Sequence, residues 1–112
     1  MSRARGRVGE SIAARALAAR GYHILETNYT CRLGEIDLVC RHGAVLVFVE
    51  VRSRASGEHG LPEETVGRVK QQRLQRAAQH YLTTHGLDDA DCRFDVVAIV
   101  GDEITVYEDA FQ

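Results

Sequence analysis

Two hydrophobic periods alternate along this chain. Residues 6–20 (GRVGESIAARALAAR) set alanine and leucine at helical spacing and stop at Gly21, a residue favoured just past a helix end. Residues 22–30 (YHILETNYT) change to the tyrosine, isoleucine and threonine content of a strand. From Gly34 to Arg54 the chain reads GEIDLVC, a short RHGA turn and VLVFVEVRSR, two more strands. Ser53 to Pro62 is a flexible loop, with Gly57, Gly60 and Gly67 in or near it. A second helical period runs from about Glu63 to Thr84 and stops before Gly86. An acidic DDAD turn then leads to a last strand pair, CRFDVVAIV and EITVYE, joined by Gly101-Asp102. The predicted order α-β-β-β-α-β-β is an α/β fold, a mixed sheet with helices packed on it.

The central hairpin carries the chemistry. With His42-Gly43 as a two-residue turn, position 41 pairs with 44, 37 with 48 and 35 with 50. Strand side chains alternate faces. One face then carries Ile36, Leu38, Cys40, Val45, Val47, Val49 and Val51, all apolar. The other gathers Glu35, Asp37, Glu50 and Arg52 beside Val39, Leu46 and Phe48. An unpaired carboxylate in an apolar strand costs several kcal/mol, so something must offset it. A divalent cation with a phosphate substrate fits.

The second helix supplies a further clue. At about 100° per residue, Val66, Val69, Leu74, Ala77, Ala78 and Tyr81 form one stripe, and Lys70 falls within it. Such a lysine either snorkels to water or reaches a carboxylate or phosphate beneath. Gln71, at the stripe's edge, can hydrogen-bond in the same place. In the first helix Glu10 shares a side with Ala13, Ala14 and Leu17. By itself it reads as a charge favourable to the helix dipole.

Composition narrows the class. The chain has 112 residues, room for one core. It contains no run of 18 or so apolar residues, and MSRARGRVGE lacks the apolar segment of a secretion signal. A cytoplasmic protein with no membrane partner is expected. Cys31, Cys40 and Cys92 are odd in number and lack CxxC spacing; Cys40, on the apolar face, reads as a small buried thiol. His23, His42, His59, His80 and His85 form no pair at metal-binding spacing. The net charge of −2 hides an asymmetry: residues 1–85 hold 13 Lys or Arg against 8 Asp or Glu, and residues 86–112 hold one Arg against 8 acids. Arg3, Arg5 and Arg7, then Arg52 and Arg54, then Arg68, Lys70, Arg73 and Arg76 form patches suited to phosphate contacts. A solvated helix face and a frayed terminus would give the same pattern.

The acid of GEIDLV followed by E-x-R in VFVEVRSR has the D…ExK spacing of restriction-endonuclease-like, PD-(D/E)xK, nuclease sites. Other segments join it in order: Gly9-Glu10 with Ala13, Gly21-Tyr22 leading to Asn28, Lys70-Gln71 with Arg73-Leu74, and Arg93-Phe94-Asp95-Val96-Val97. On these the chain resembles the bacterial YraN-like family of predicted endonucleases, relatives in fold of archaeal Holliday-junction resolvases. The resemblance implies one restriction-endonuclease-like domain over 1–112, in which Glu10 is the helix acid that completes a metal site. Asp37 and Glu50, with the Val51 carbonyl, are expected to hold Mg²⁺, for which Mn²⁺ can substitute. Arg52 stands where the motif usually has lysine. It stays protonated and so cannot be a general base, but it can orient a phosphate. Lys70 then supplies the missing amine, while Arg54, Arg68, Gln71, Arg73 and Arg76 face nucleic acid. Asp95 is expected to form an ion pair with Arg93. The expected activity is metal-dependent cleavage of DNA, branched or junction DNA included, where a homodimer with two sites would serve. The alternatives are a binding module with the nuclease fold and little or no cleavage, and an interaction protein without nucleic acid.

Overall fold

A single five-stranded sheet positions every residue of interest. The computed structural model describes residues 3–54 and 66–111. Within them the order is α1 (Arg3–Ala19), β1 (His23–Cys31), β2 (Gly34–His42), β3 (Val45–Arg54), α2 (Arg68–Thr84), β4 (Cys92–Val100) and β5 (Glu103–Phe111). This is the expected α/β order. Residues 55–65, over which a loop and the start of the second helix were expected, lie outside the described residues, as do the side chains of Arg3, Arg5 and Arg7. Among the described residues no helix is long and apolar enough to cross a membrane.

The strands lie in chain order, β1-β2-β3-β4-β5. β3 and β4 run parallel and the other neighbours antiparallel. Parallel neighbours need a long crossover, and the segment containing α2 provides it. The central strand β3 is covered on both faces, which is why VLVFV is apolar without a break. On one face Val47 and Val49 pack with Leu38, Cys40, Val97 and Ile99 against Ala13 and Leu17 of α1. On the other, Leu46 and Phe48 pack with Val39 and Val96 against Leu74, Ala77, Ala78, Tyr81 and Leu82 of α2. The thiol of Cys40 is buried, and burial pushes it up to about 12, which keeps it protonated.

Two details of the hairpin differ from the sequence reading. The turn is Gly43-Ala44, not His42-Gly43, so His42 pairs with Val45, Arg41 with Leu46 and Leu38 with Val49. Gly43 has φ +63. A tight hairpin that needs the left-handed region at its first loop position puts glycine there. The slip is two residues, an even number, so the faces survive while the pairings move. Ile36 also changes sides, joining the α2 cluster instead of the Leu38 face. There β2 has already left β3 and follows β1, with Ile36 opposite Tyr29.

A buried polar network ties β4 to the α1 side. Asp95 is fully buried. Its Oδ2 accepts from Tyr22 Oη (2.7 Å), and its Oδ1 accepts from Arg93 Nε (3.0 Å) and the Asp109 amide (2.9 Å). The expected Asp95–Arg93 ion pair is therefore present. Arg93 also reaches Glu108 at 2.9 Å and His42 Nδ1 at 2.9 Å. An arginine only donates, so it donates to that ring nitrogen, and the His42 ring stacks on Tyr22 at 4.1 Å. Replacing Arg93 by methionine strands a buried carboxylate. Arg93→Met should therefore lower stability by about 3 kcal/mol, read as a lower urea midpoint in equilibrium unfolding.

Candidate active site

Beyond Leu38 and Val49 the β2–β3 ladder ends. β2 continues beside β1 as far as Gly34, and β3 continues beside β4 as far as Arg54. The two strands fork. The next residues outward on each arm are Asp37 and Glu50. The fork leaves the Val51 amide without a β2 carbonyl, and Asp37 Oδ2 accepts its hydrogen at 2.8 Å. A backbone donor thus fixes one carboxylate at the mouth of the fork.

Glu50 is only 5% exposed. It lies on the Phe48 face, towards α2, where two cations approach it. Arg52 Nε is 3.5 Å and Lys70 Nζ 3.6 Å from Glu50 Oε2. These contacts do not prevail over the surroundings. Burial first, and the adjacent Asp37 second, push the Glu50 carboxyl up to about 7, against the opposing pull of Lys70 and Arg52. Asp37 is close enough to both Glu50 and Glu10 to raise each carboxyl. Glu10 reaches the same place from α1, whose neighbouring Gly9 packs against Val51 and Ser53 of β3. Burial and then Asp37 raise the Glu10 carboxyl, while a hydrogen bond with Asn28 pulls it down. Glu10 Oε1 is enclosed and makes no hydrogen bond.

The structure therefore brings together Glu10, Asp37, Glu50, Arg52 and Lys70. Among the described residues, however, no three His, Cys, Asp or Glu side chains close around one point tightly enough to hold a metal. The remaining expected residues are more dispersed. Arg54 is half-buried near the end of β3, and Arg68, Arg73 and Arg76 are exposed on α2. Gln71 points back to its own helix start, donating to the Val66 carbonyl at 2.7 Å. It thereby satisfies a carbonyl just before the helix instead of entering the site. Val69 was expected on the buried stripe but is 62% exposed, and the Lys70 side chain is 41% exposed. Helix α2 begins only at Arg68, and its covered face starts a turn later, at Leu74. Glu35 is exposed on β2, outward of Asp37.

One participant was not singled out as functional in the sequence. Asn28 is the β1 residue between Thr27, opposite Leu38, and Tyr29, opposite Ile36. It is thus next to Asp37 across the β1–β2 ladder. Asn28 closes the Gly21-Tyr22 segment of the resemblance, but a polar side chain in a strand beside Tyr29 is a common surface pattern.

Comparison with known proteins shows the family to which the chain is similar. The family model described as "Uncharacterised protein family UPF0102" matches residues 9–99, a span that includes Glu10, Asp37, Glu50, Arg52 and Lys70. A UPF0102 protein of Moorella thermoacetica is 53% identical over 97 residues, covering 87% of this chain and 81% of that protein. One of Anaeromyxobacter dehalogenans is 56% identical over 94 residues, covering 84% and 70%. A third, of Syntrophus aciditrophicus, is 48% identical over 111 residues, covering 96% and 87%.

The raised Glu50 carboxyl has a definite sign in stability. The folded protein holds this proton up to about pH 7, whereas an ordinary glutamate releases it near 4.5. Metal-free protein should therefore lose stability as pH rises through the interval between those values, by at most about 3 kcal/mol. Glu50→Gln carries no such proton. Its melting temperature should fall less between pH 5 and pH 8 and should exceed the parent's at pH 8. Parallel thermal melts of the two proteins in chelator test this.

Proposed function

This chain belongs to the UPF0102 family, and we propose that it is a metal-dependent endonuclease that hydrolyses phosphodiester bonds in DNA. The observation that carries the reading is the fork. It sets a buried Glu50 beside Asp37 at the parting of two strands, with Arg52 and Lys70 both within 4 Å of the buried carboxylate. A purely structural acid would be paired off by its cations. Here burial first and the neighbouring Asp37 second hold Glu50 up at about 7 in spite of both cations.

The donor set fits a hard divalent cation. Two carboxylates, the Val51 carbonyl and retained waters suit Mg²⁺, which seldom takes an all-protein cage. The enclosed Glu10 Oε1, which lacks any hydrogen bond, would add a further oxygen directly or through water. Mn²⁺ offers the same preference for oxygen ligands. When bound, such an ion supplies a water of lowered pKa and neutralises charge on the scissile phosphate. The protein's own groups do the rest. Arg52 is permanently charged, so it orients the phosphate and stabilises developing negative charge instead of moving a proton. Lys70, on the α2 side of Glu50, supplies an amine at the same place. Exposed Arg68, Arg73 and Arg76 on α2, and Arg54 on β3, offer contacts to the flanking phosphates.

Asp37→Asn should abolish Mn²⁺-supported cleavage of branched, duplex or single-stranded DNA while keeping or tightening binding, because it removes a charge that repels phosphate. Binding without turnover by the parent protein, across that whole panel, would leave a nucleic-acid-binding module with the nuclease fold. Arg73→Glu or Arg76→Glu should weaken binding across sequences and flatten its salt dependence. Unchanged affinity in filter binding would make the arginine face of α2 ordinary solvated surface.

Lys70→Met separates two roles for the amine. If Lys70 acts on the reacting phosphate or water, turnover should fall by roughly 10²-fold, with the fold intact by circular dichroism. Arg52→Lys should be tolerated or raise activity, since it restores the usual motif. Cleavage by Lys70→Met at the parent rate would reduce Lys70 to a counter-charge for Glu50.

A further inference from the structure

The β1–β2 hairpin ends in a two-residue turn beside the fork. Cys31 pairs with Gly34, so Arg32 and Leu33 make up the whole loop. Both are exposed, Leu33 by 41%. Loops of this length favour glycine, asparagine and aspartate. A leucine there breaks the local rule, and such breaks concentrate at functional positions. The tip is docked on the helix behind it. Cys31 packs against the α2 core cluster, and the Gly34 backbone rests on α2. A Cβ at position 34 would meet the Arg73 carbonyl oxygen at 3.4 Å and the Arg73 Cβ at 3.7 Å.

The rotation of α2 decides what surrounds the tip. Arg73 lies against Gly34, and His80 hydrogen-bonds the Tyr29 hydroxyl of β1. One flank of α2 therefore faces β1 and the hairpin end. At about 100° per residue, Val69, Arg73 and Arg76 share that flank, whereas Arg68 falls on the other. Val69 is 62% exposed, and both arginines are exposed. Arg32, Arg73 and Arg76 are thus set among two uncovered apolar side chains, Leu33 and Val69. Leu33 comes four residues before Asp37 in the chain, roughly 13 Å at the rise of a strand. One nucleic-acid strand can touch both.

Arginines alone suit any run of phosphates, paired or not. The apolar residues separate the two cases. A duplex turns phosphates and sugars outward and keeps its base faces stacked inside. An unpaired strand presents base faces to water, and an exposed leucine or valine can cover them. Arginine planes stack on unpaired bases as well.

We propose that the β1–β2 tip and the adjoining flank of α2 form a binding surface for unpaired DNA. Arg32, Arg73 and Arg76 take its phosphates, and Leu33 and Val69 take its bases. This rests on the DNA-cleavage reading given above and adds the state of the substrate: the strand is single over the stretch that reaches Leu33.

The test is fluorescence anisotropy with one labelled DNA oligonucleotide, offered as a single strand and as a perfect duplex. Chelator is present throughout, so neither metal binding nor cleavage enters. The parent should bind the single strand more tightly. Leu33→Ser and Val69→Ser should each weaken single-strand binding by about 5-fold, while duplex affinity and salt dependence stay at the parent's values. Arg32→Gln should weaken binding to both DNAs and reduce the salt slope by about 1. Because Leu33 and Val69 are exposed, the serine variants should melt at the parent temperature, which separates a lost contact from a lost fold. Parent-like single-strand affinity in Leu33→Ser, or equal losses on single strand and duplex, would overturn the unpaired-DNA surface. Binding of the duplex alone by the parent would overturn it too and leave the DNA reading standing. Binding of neither DNA by the parent would overturn the DNA reading itself.

Discussion

The fork between β2 and β3 is the constraint on which the proposed site depends. A hairpin that stayed paired along its whole length would bury the Val51 amide in a ladder and place Asp37 in a continuous sheet. Parting at Leu38 and Val49 does two things at once. It exposes a backbone donor that orders Asp37, and it makes a gap in which side chains from both faces of the sheet can meet. Glu50 belongs to the α2 side and Glu10 arrives with α1, yet both interact with Asp37. Without the gap, the sheet itself would separate them. The crossover through α2 is equally necessary, since it returns Lys70 to the strand from which the chain has just departed.

Much of this was legible in the sequence because period-2 alternation is insensitive to a register error of two. Assigning the turn to His42-Gly43 misplaced every cross-strand pair, yet Val39, Leu46 and Phe48 kept the face expected of them, and Asp37 and Glu50 still lie near one another at the fork. The identity of the core-facing residues of β3 followed from its unbroken apolar run. The errors have local causes. Ile36 was placed by simple alternation, which fails where a strand changes partners. Val69 was placed by helical period in a turn that precedes the covered part of α2. Gln71 was assigned to the site by its position on a wheel, which cannot reveal a nearby backbone carbonyl that would capture its amide.

The chain also contains its own control. Asp95 and Glu50 are both buried acids in the centre of the sheet, one residue apart in register: Asp95 is opposite Val49, and Glu50 is opposite Val96. They differ in which face they occupy and in how they are satisfied. Asp95 receives hydrogen bonds from a tyrosine hydroxyl, an arginine and a backbone amide, with heavy-atom distances from 2.7 to 3.3 Å. Its partners are all donors, and the network fastens β4 to Tyr22, between α1 and β1, and to β5. That is an arrangement for holding a fold together, and the Arg93 guanidinium is pushed further up by it, chiefly through its bond to Asp95.

Glu50 is treated in the opposite way. Its two cations stand 3.5 and 3.6 Å off, longer than a strong charge-assisted bond, and a second acid, Asp37, adds to the effect of burial in raising it. Burying an acid beside acids disfavours the ionised state that both cations would otherwise secure. Evolution towards stability alone has an easy remedy, since glutamine or an apolar residue at 50 would remove the repulsion and improve packing. The same sheet demonstrates, at Asp95, that this sequence can satisfy a buried acid fully. Crowded carboxyls at the fork therefore make physical sense as ligands for a charge that the protein chain does not itself provide.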